Sequence, residues 1–263
     1  MPASTSIPSF EEAPRVTRLL SAPNRHSLAL AWAACVLAAT PIGLLGWDAA
    51  SGSLGANSLD RVLRTPGRWA LILLLVVLSA TPLRHALVYA ARRRRARYGR
   101  RLADWNWVIR LRRPLGLASF FYALTHVVLY LSLDAGFSGD ELANDLRNKP
   151  FIIAGSGAFL LLLPLAVTST DSWVRRLKRD WKRLHLLVYP AAILAVLHFF
   201  WLSKPGVSDP YAYALVLAFL LGYRVAARWL HVREPVEALG EEVPDRSESA
   251  QPRHAAGSSG KRE

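Results

Sequence analysis

Six stretches of about twenty residues run through this chain with almost no charge, and the charge between them is gathered into short, dense clusters. The stretches are Ser27–Trp47, Trp69–Ala91, Pro114–Leu133, Pro150–Thr170, Leu184–Ser203 and Tyr211–Leu230. A helix that crosses a bilayer needs about 20 predominantly apolar residues, so each is long enough to span. The first, third, fourth and fifth hold no Asp, Glu, Lys or Arg. Arg84 in the second and Arg224 and Arg228 in the sixth stand toward C-terminal ends, where a long side chain reaches the interface. Trp47, Trp69, Tyr130, Trp201, Tyr211 and Trp229 lie at run ends, as an interfacial aromatic belt requires. Pro114 and Pro150 open their runs, where a missing N–H costs nothing. In a soluble domain, 52% apolar residues and 33 Lys plus Arg would interleave along amphipathic elements. Their segregation here predicts an all-α integral membrane protein, a six-helix transmembrane bundle over residues 27–230.

The loops predict the orientation. Arg92–Arg113 holds ten Arg and one acid, Asp104, and Arg175–Arg183 holds six bases and one acid, Asp180. The alternate connections are poorer in base: Ala135–Lys149 has three acids and two bases, and Leu202–Pro210 one of each. The basic side is expected to be cytoplasmic, which makes the bundle N-in/C-in. Residues 1–26 then form a polar cytoplasmic segment, with the first apolar run an uncleaved anchor, and residues 231–263 a disordered cytoplasmic tail. That tail lacks the patterning of a flavin or nicotinamide domain, and no GxGxxG occurs. The formal charge of +14 comes from clusters that flank apolar runs, which points to membrane lipid and not to nucleic acid. Cys35 is the single cysteine and Met1 the single methionine, so a deeply placed metal or haem has histidine as its expected ligand, with Tyr or Cys35 as poorer choices.

His26, His231 and His254 lie outside or at the ends of the runs and read as surface residues, whereas His85, His126, His185 and His198 lie within them. An ionisable ring in a spanning helix needs compensation and is a functional candidate by default. His126 lies about 18 Å along its helix from Pro114, and His198 about 21 Å along its own from Leu184, at the usual rise per residue. Two histidines at matched depth fit a clamp on one haem iron; the alternative is a pair of helix–helix hydrogen bonds worth about 1 kcal/mol each. His185 precedes His198 by thirteen residues, about 20 Å along the axis and about 140° around it. Pro190 between them is placed to kink and re-aim the helix. A second haem at His185 would lack its obvious partner, because Arg112 stands fourteen residues before His126. His85 is a substitute, and a cytoplasmic-side role in proton uptake or quinol binding is the other reading of His185.

Several motifs in order resemble the MsrQ (YedZ) family. They are Leu54–Asn57 with Gly67–Leu71, Thr81–Arg84, Arg112–Leu117 ahead of Phe120–His126, Arg147–Ile152, Leu165–Thr170, Trp181–Tyr189 and His198–Trp201. They cover roughly residues 40–204. The basic loop at 84–111 is longer than usual in that family, and Pro114 stands where an aliphatic residue or Met is more usual. The resemblance implies a ferric-reductase-like transmembrane fold in a bacterial inner membrane, with haem b and FMN as cofactors. It implies electrons taken from the quinone pool and passed, in a heterodimer, to the periplasmic molybdopterin reductase MsrP, which repairs methionine sulfoxide in oxidised proteins. The family's haem histidines fall on His126, His185 and His198, with His126 and His198 on the haem iron and His185 a second or alternative ligand. Such a chain is a non-catalytic electron-transfer subunit. The alternatives are a ferric-reductase or oxidase-like cytochrome b served by a separate flavin subunit, and a transporter or scaffold with structural histidines.

Overall fold

The computed structural model describes residues 22–24, 26–96, 98–203 and 209–231, and no β-strand occurs among them. Six helices among the described residues are long and apolar enough to cross a membrane. Most of the expected N-terminal segment 1–26, most of the connection at 202–210 and all but the first residue of the tail 231–263 lie outside the described residues. The chain divides into a unit ending at Tyr223 and a second beginning at Arg224; the second is described only as the closing turns of a helix. The following concerns the first unit.

The spanning helices are α1 (Ser27–Ala50), α2 (Ser58–Arg93) and α3 (Arg112–Leu129), followed by α5 (Pro150–Val167), α6 (Val188–Leu202) and α7 (Asp209–His231); a short helix, α4 (Gly139–Asn148), sits between α3 and α5. Four differences from the expected runs have local causes. α2 begins at Ser58 and not Trp69, because Asp60, Arg61 and Arg64 are good helix formers or first-turn acids beyond the apolar stretch. Its 36 residues measure about 54 Å at the helical rise, well over the ~30 Å hydrocarbon core. α3 ends in a π-turn, Tyr130–Asp134, in which Ala135 N–H reaches Tyr130 O at 3.0 Å. The acidic connection, expected to be a loop, contains α4, capped by Ser138 accepting from Glu141 N at 3.2 Å, with Asp140 and Glu141 in its first turn. The fifth run is broken: Arg179–Leu184 is helical, His185–Leu187 forms a 3₁₀ turn, and α6 starts at Val188. Pro190 has no N–H for Leu186 O, so the turn ahead of it tightens instead of continuing as α-helix.

Two helix pairings dominate, α2 with α3 and α5 with α6. Lipid tails are as apolar as leucine, so packing in a bilayer relies on close approach of small residues and on hydrogen bonds. Ala191 and Ala192 of α6 are fully buried against Leu71, Leu74, Leu75 and Leu78 of α2 and Leu162 of α5. Ser119 on α3 donates to Ala70 O on α2 at 2.8 Å. The Phe120 and Phe159 rings stack at 5.8 Å between the two pairs. At the basic end, Asp104 organises the arginine-rich loop: its carboxylate accepts from Gly99 N and Arg101 N, both at 3.1 Å, while Trp105 Nε1 donates to Gly99 O at 2.9 Å. Arg84 and Arg92 donate to Leu102 O and Arg100 O, at 2.9 and 3.0 Å.

Pro41 interrupts α1, and a proline weakens the ladder on either side of itself. The Tyr122 hydroxyl of α3 enters that gap, accepting from Ile42 N at 3.1 Å and donating to Ala38 O at 2.6 Å. With water absent, these backbone groups have few other partners. Tyr122→Phe is expected to cost about 1–3 kcal/mol, measured as reduced thermal stability in detergent. The same change in a Pro41→Ala background is expected to cost less, because without the pyrrolidine ring Ile42 N–H can close directly onto Ala38 O.

Candidate functional site

The junction of the two helix pairs encloses a cavity of about 540 Å³, within the 300–1,000 Å³ usual for small-molecule and cofactor sites. His126 from α3 and His198 from α6 line it, their ring centroids 6.1 Å apart and their planes inclined by 68°. An imidazole nitrogen binds a transition metal at about 2.0–2.1 Å, so two rings on opposite sides of one ion have centroids about 6 Å apart once the ring radius is added. The observed spacing is of that size.

Both rings are oriented by one device, used twice. His126 Nδ1 lies 2.8 Å from Leu63 O on α2, and His198 Nδ1 lies 2.6 Å from Phe151 O on α5. A carbonyl only accepts, so each Nδ1 carries the proton, and in the neutral ring the lone pair is left on Nε2. These carbonyls already face the helical N–H four residues on, at Gly67 and Gly155, and a Cβ there tilts back toward the carbonyl. A Cβ built on Gly67 would stand 3.2 Å from His126 Nδ1, and one on Gly155 would stand 2.7 Å from His198 Nδ1. Glycine therefore opens the notch through which each imidazole reaches the backbone of its neighbour. Metal-binding histidines are held by such bonds from the second ring nitrogen.

Among the described residues no three or more His, Cys, Asp or Glu gather into a metal-binding group. A bare ion generally needs more protein ligands than two, whereas haem iron, already held by its porphyrin, takes only axial ones. The donor set therefore fits a haem.

The family described as "Ferric reductase like transmembrane component" matches residues 66–196, a stretch that holds Gly67, His126, Gly155 and His185 and ends two residues before His198. The chain is also similar to proteins named "Protein-methionine-sulfoxide reductase heme-binding subunit MsrQ". With that of Xanthomonas axonopodis pv. citri it is 44% identical over 194 residues, 72% of this chain and 82% of the relative. With that of Xanthomonas campestris pv. campestris it is 44% identical over 201 residues, 74% and 84% of the two chains. With that of Azospira oryzae it is 43% identical over 180 residues, 68% and 70%. The chain belongs to the MsrQ family. It is a multi-pass bacterial membrane protein with the ferric-reductase-like fold.

Of the four histidines expected inside the spans of this MsrQ-family chain, the structure brings His126 and His198 together and places the others elsewhere. His185 sits on the 3₁₀ turn, stacked on Trp181 at 3.9 Å between centroids. Its Nδ1 faces Trp181 O at 3.1 Å, and Trp181 Nε1 donates to Thr168 O at 2.9 Å. His185 does not line the cavity. His85 is bonded through Nδ1 to the Tyr223 hydroxyl at 2.8 Å. Arg112 hydrogen-bonds Thr81 Oγ1. Gly67 and Gly155 were missed as site residues by sequence reasoning. Their one available signal, a glycine in a spanning helix, does not say which ring it faces.

Gly155→Ala is expected to destabilise the protein by about 1–3 kcal/mol, read by thermal unfolding in detergent. Gly67→Ala is expected to cost less, since its contact is looser by several tenths of an ångström.

Proposed function

We infer that this chain is the haem-binding electron-transfer subunit of a methionine-sulfoxide reductase system, in which His126 and His198 would hold haem b. The observation that carries this reading is the 6.1 Å pair of imidazoles at the cavity, each with its Nδ1 facing a backbone carbonyl. Bound haem supplies a reversible one-electron couple at iron. The chain's part is to fix two Nε2 lone pairs and to exclude water with the apolar cavity wall. Iron held by both histidines would keep no open ligand position, which suits electron transfer over oxygen activation.

In the same reading the bundle, residues 27–230, lies N-in/C-in in the inner membrane, because the arginine-rich connections gather at one end. The histidine pair then lies toward the periplasm, under the acidic connection that carries α4. The chain takes electrons from the quinone pool, uses FMN, and passes electrons to a periplasmic molybdopterin partner of the MsrP kind in a heterodimer. Membrane lipid surrounds it and nucleic acid has no part. His185, toward the basic end, keeps its Nε2 lone pair by the same carbonyl logic, and serves as a second or alternative ligand there. The ferric-reductase-like match over residues 66–196 favours one other reading, a cytochrome b of that superfamily fed by a separate flavin reductase subunit.

The test is the reduced-minus-oxidised visible spectrum of the purified protein, with pyridine haemochrome quantitation and extracted-flavin fluorescence. Low-spin b-type bands with flavin are expected. His126→Ala and His198→Ala are each expected to lose most of the haem, and His85→Ala to keep it. A colourless protein after haem-replete expression, or full haem in both of the first two variants, rejects the assignment. Electron delivery to a periplasmic molybdopterin reductase from reduced quinone, without added flavin reductase, separates the first reading from the second.

A further inference from the structure

The polarity of the cavity wall runs in one direction on three helices. On α2 the lining begins with Asp60, Arg64 and Arg68 and continues into Ala70, Leu71 and Leu74. On α5 it begins beside Lys149 and continues to Ala158, Phe159 and Leu162. α3 runs the opposite way, and the charge in its lining comes only after it, at Asp134 in the π-turn, with the Tyr130 hydroxyl beside it. Of the two hydroxyls deeper in the lining, Ser119 is committed to Ala70 O and Ser156 carries no charge. Every charged group of the lining therefore lies at the mouth next to the acidic connection, and the floor has none.

The three cations at that mouth each have donors to spare. Arg64 meets Asp60 through Nε, which leaves its two terminal nitrogens. Arg68 meets Asp209 at only 3.4 Å, with both side chains about half exposed. Lys149 Nζ meets Asp145 Oδ1 at 2.6 Å, using one of three N–H groups. Asp145 is 1% exposed and also accepts from the Tyr130 hydroxyl at 2.6 Å. The Lys149 hydrogen bond, followed by that of Tyr130, holds its carboxyl below the usual range. Asp145 therefore stays ionised at neutral pH, and the pair is lost only as pH falls through that lowered value. Lys149 is thus fixed at the rim from behind.

A haem is amphipathic, with an apolar macrocycle and two propionate carboxylates on one edge. A carboxylate buried without a cation is costly, and the floor offers none, only the neutral hydroxyls of Ser119 and Ser156. We propose that Arg64, Arg68 and Lys149 form a carboxylate-binding rim that takes the two haem propionates, with the apolar edge of the macrocycle toward the floor. This rests on the haem reading above. Arg supplies forked donors for a carboxylate and Lys a point charge. The rim thereby fixes which edge of the macrocycle faces the mouth.

The experiment compares iron protoporphyrin IX with its dimethyl ester, in which both carboxylates are masked, by titration into the full-length protein produced without haem supply. Wild type is expected to bind the ester at least ten-fold more weakly, the effect of losing about one charged hydrogen bond. R68Q and K149Q are each expected to weaken binding of the free acid by about ten-fold while leaving the low-spin spectrum of the bound form unchanged. The triple variant R64Q/R68Q/K149Q is expected to bind acid and ester alike. Equal affinity of wild type for acid and ester, which needs no variant to fold, overturns the rim and leaves the histidine pair standing. Discrimination that survives in the triple variant also overturns it. A wild-type protein that takes up neither porphyrin overturns the haem reading and the rim together.

Discussion

Two hydrogen bonds from imidazole Nδ1 to helix carbonyls, Leu63 O and Phe151 O, define what the rest of this bundle is built around. Each bond crosses between the two members of a helix pair, α3 to α2 and α6 to α5. Each needs a carbonyl that accepts twice, and glycine four residues on supplies the access. A helix carbonyl in a bilayer is ordinarily spent within its own helix, so a second donor reaches it only where the flanking side chain is missing. The same bond places the ring proton on Nδ1 and leaves Nε2 free. In each case one contact joins two helices and sets the tautomer of the ring.

The surrounding packing follows from the absence of a hydrophobic driving force between helices in lipid. Ala191 and Ala192 allow α6 close to its neighbours. Ser119 ties α3 to α2, and Tyr122 ties α3 to α1 by filling the break that Pro41 makes. These polar contacts lie on α3, the helix that also carries His126. A helix held on two sides by hydrogen bonds keeps the depth and rotation of His126 fixed, which its 6.1 Å approach to His198 from the other helix pair requires.

Charge is arranged on a longer scale. The arginines of the long connection are gathered at one end of the bundle, where Asp104, Trp105 and the backbone around Gly99 give their loop a defined shape. At the other end opposite charges are paired one to one, Arg64 with Asp60, Arg68 with Asp209 and Lys149 with Asp145. The first end suits orientation in a membrane with an anionic surface. The second, with balanced charge around an apolar opening, suits a cofactor edge and a protein partner.

The six spans and the four histidines inside them were legible in the residue order, because the cost of placing charge in hydrocarbon acts on each segment separately. The asymmetry of the basic and acidic connections was legible for the same reason. Matched depth for His126 and His198 also follows from the rise of a helix. Their meeting does not, since rotation about each axis and the choice of neighbours belong to packing. α4 and the N-terminal extension of α2 were missed because hydropathy does not register amphipathic helix outside the bilayer. The break at His185–Leu187 came from Pro190 acting on the turn before it, where a kink that re-aims the helix was expected. Gly67 and Gly155 acquired a role only when another helix brought a ring against them. The sequence by itself thus determined which segments enter the membrane, a property of each segment's own solvation. The tertiary structure alone decided which side chains face one another there, because that depends on contacts between segments far apart in the chain.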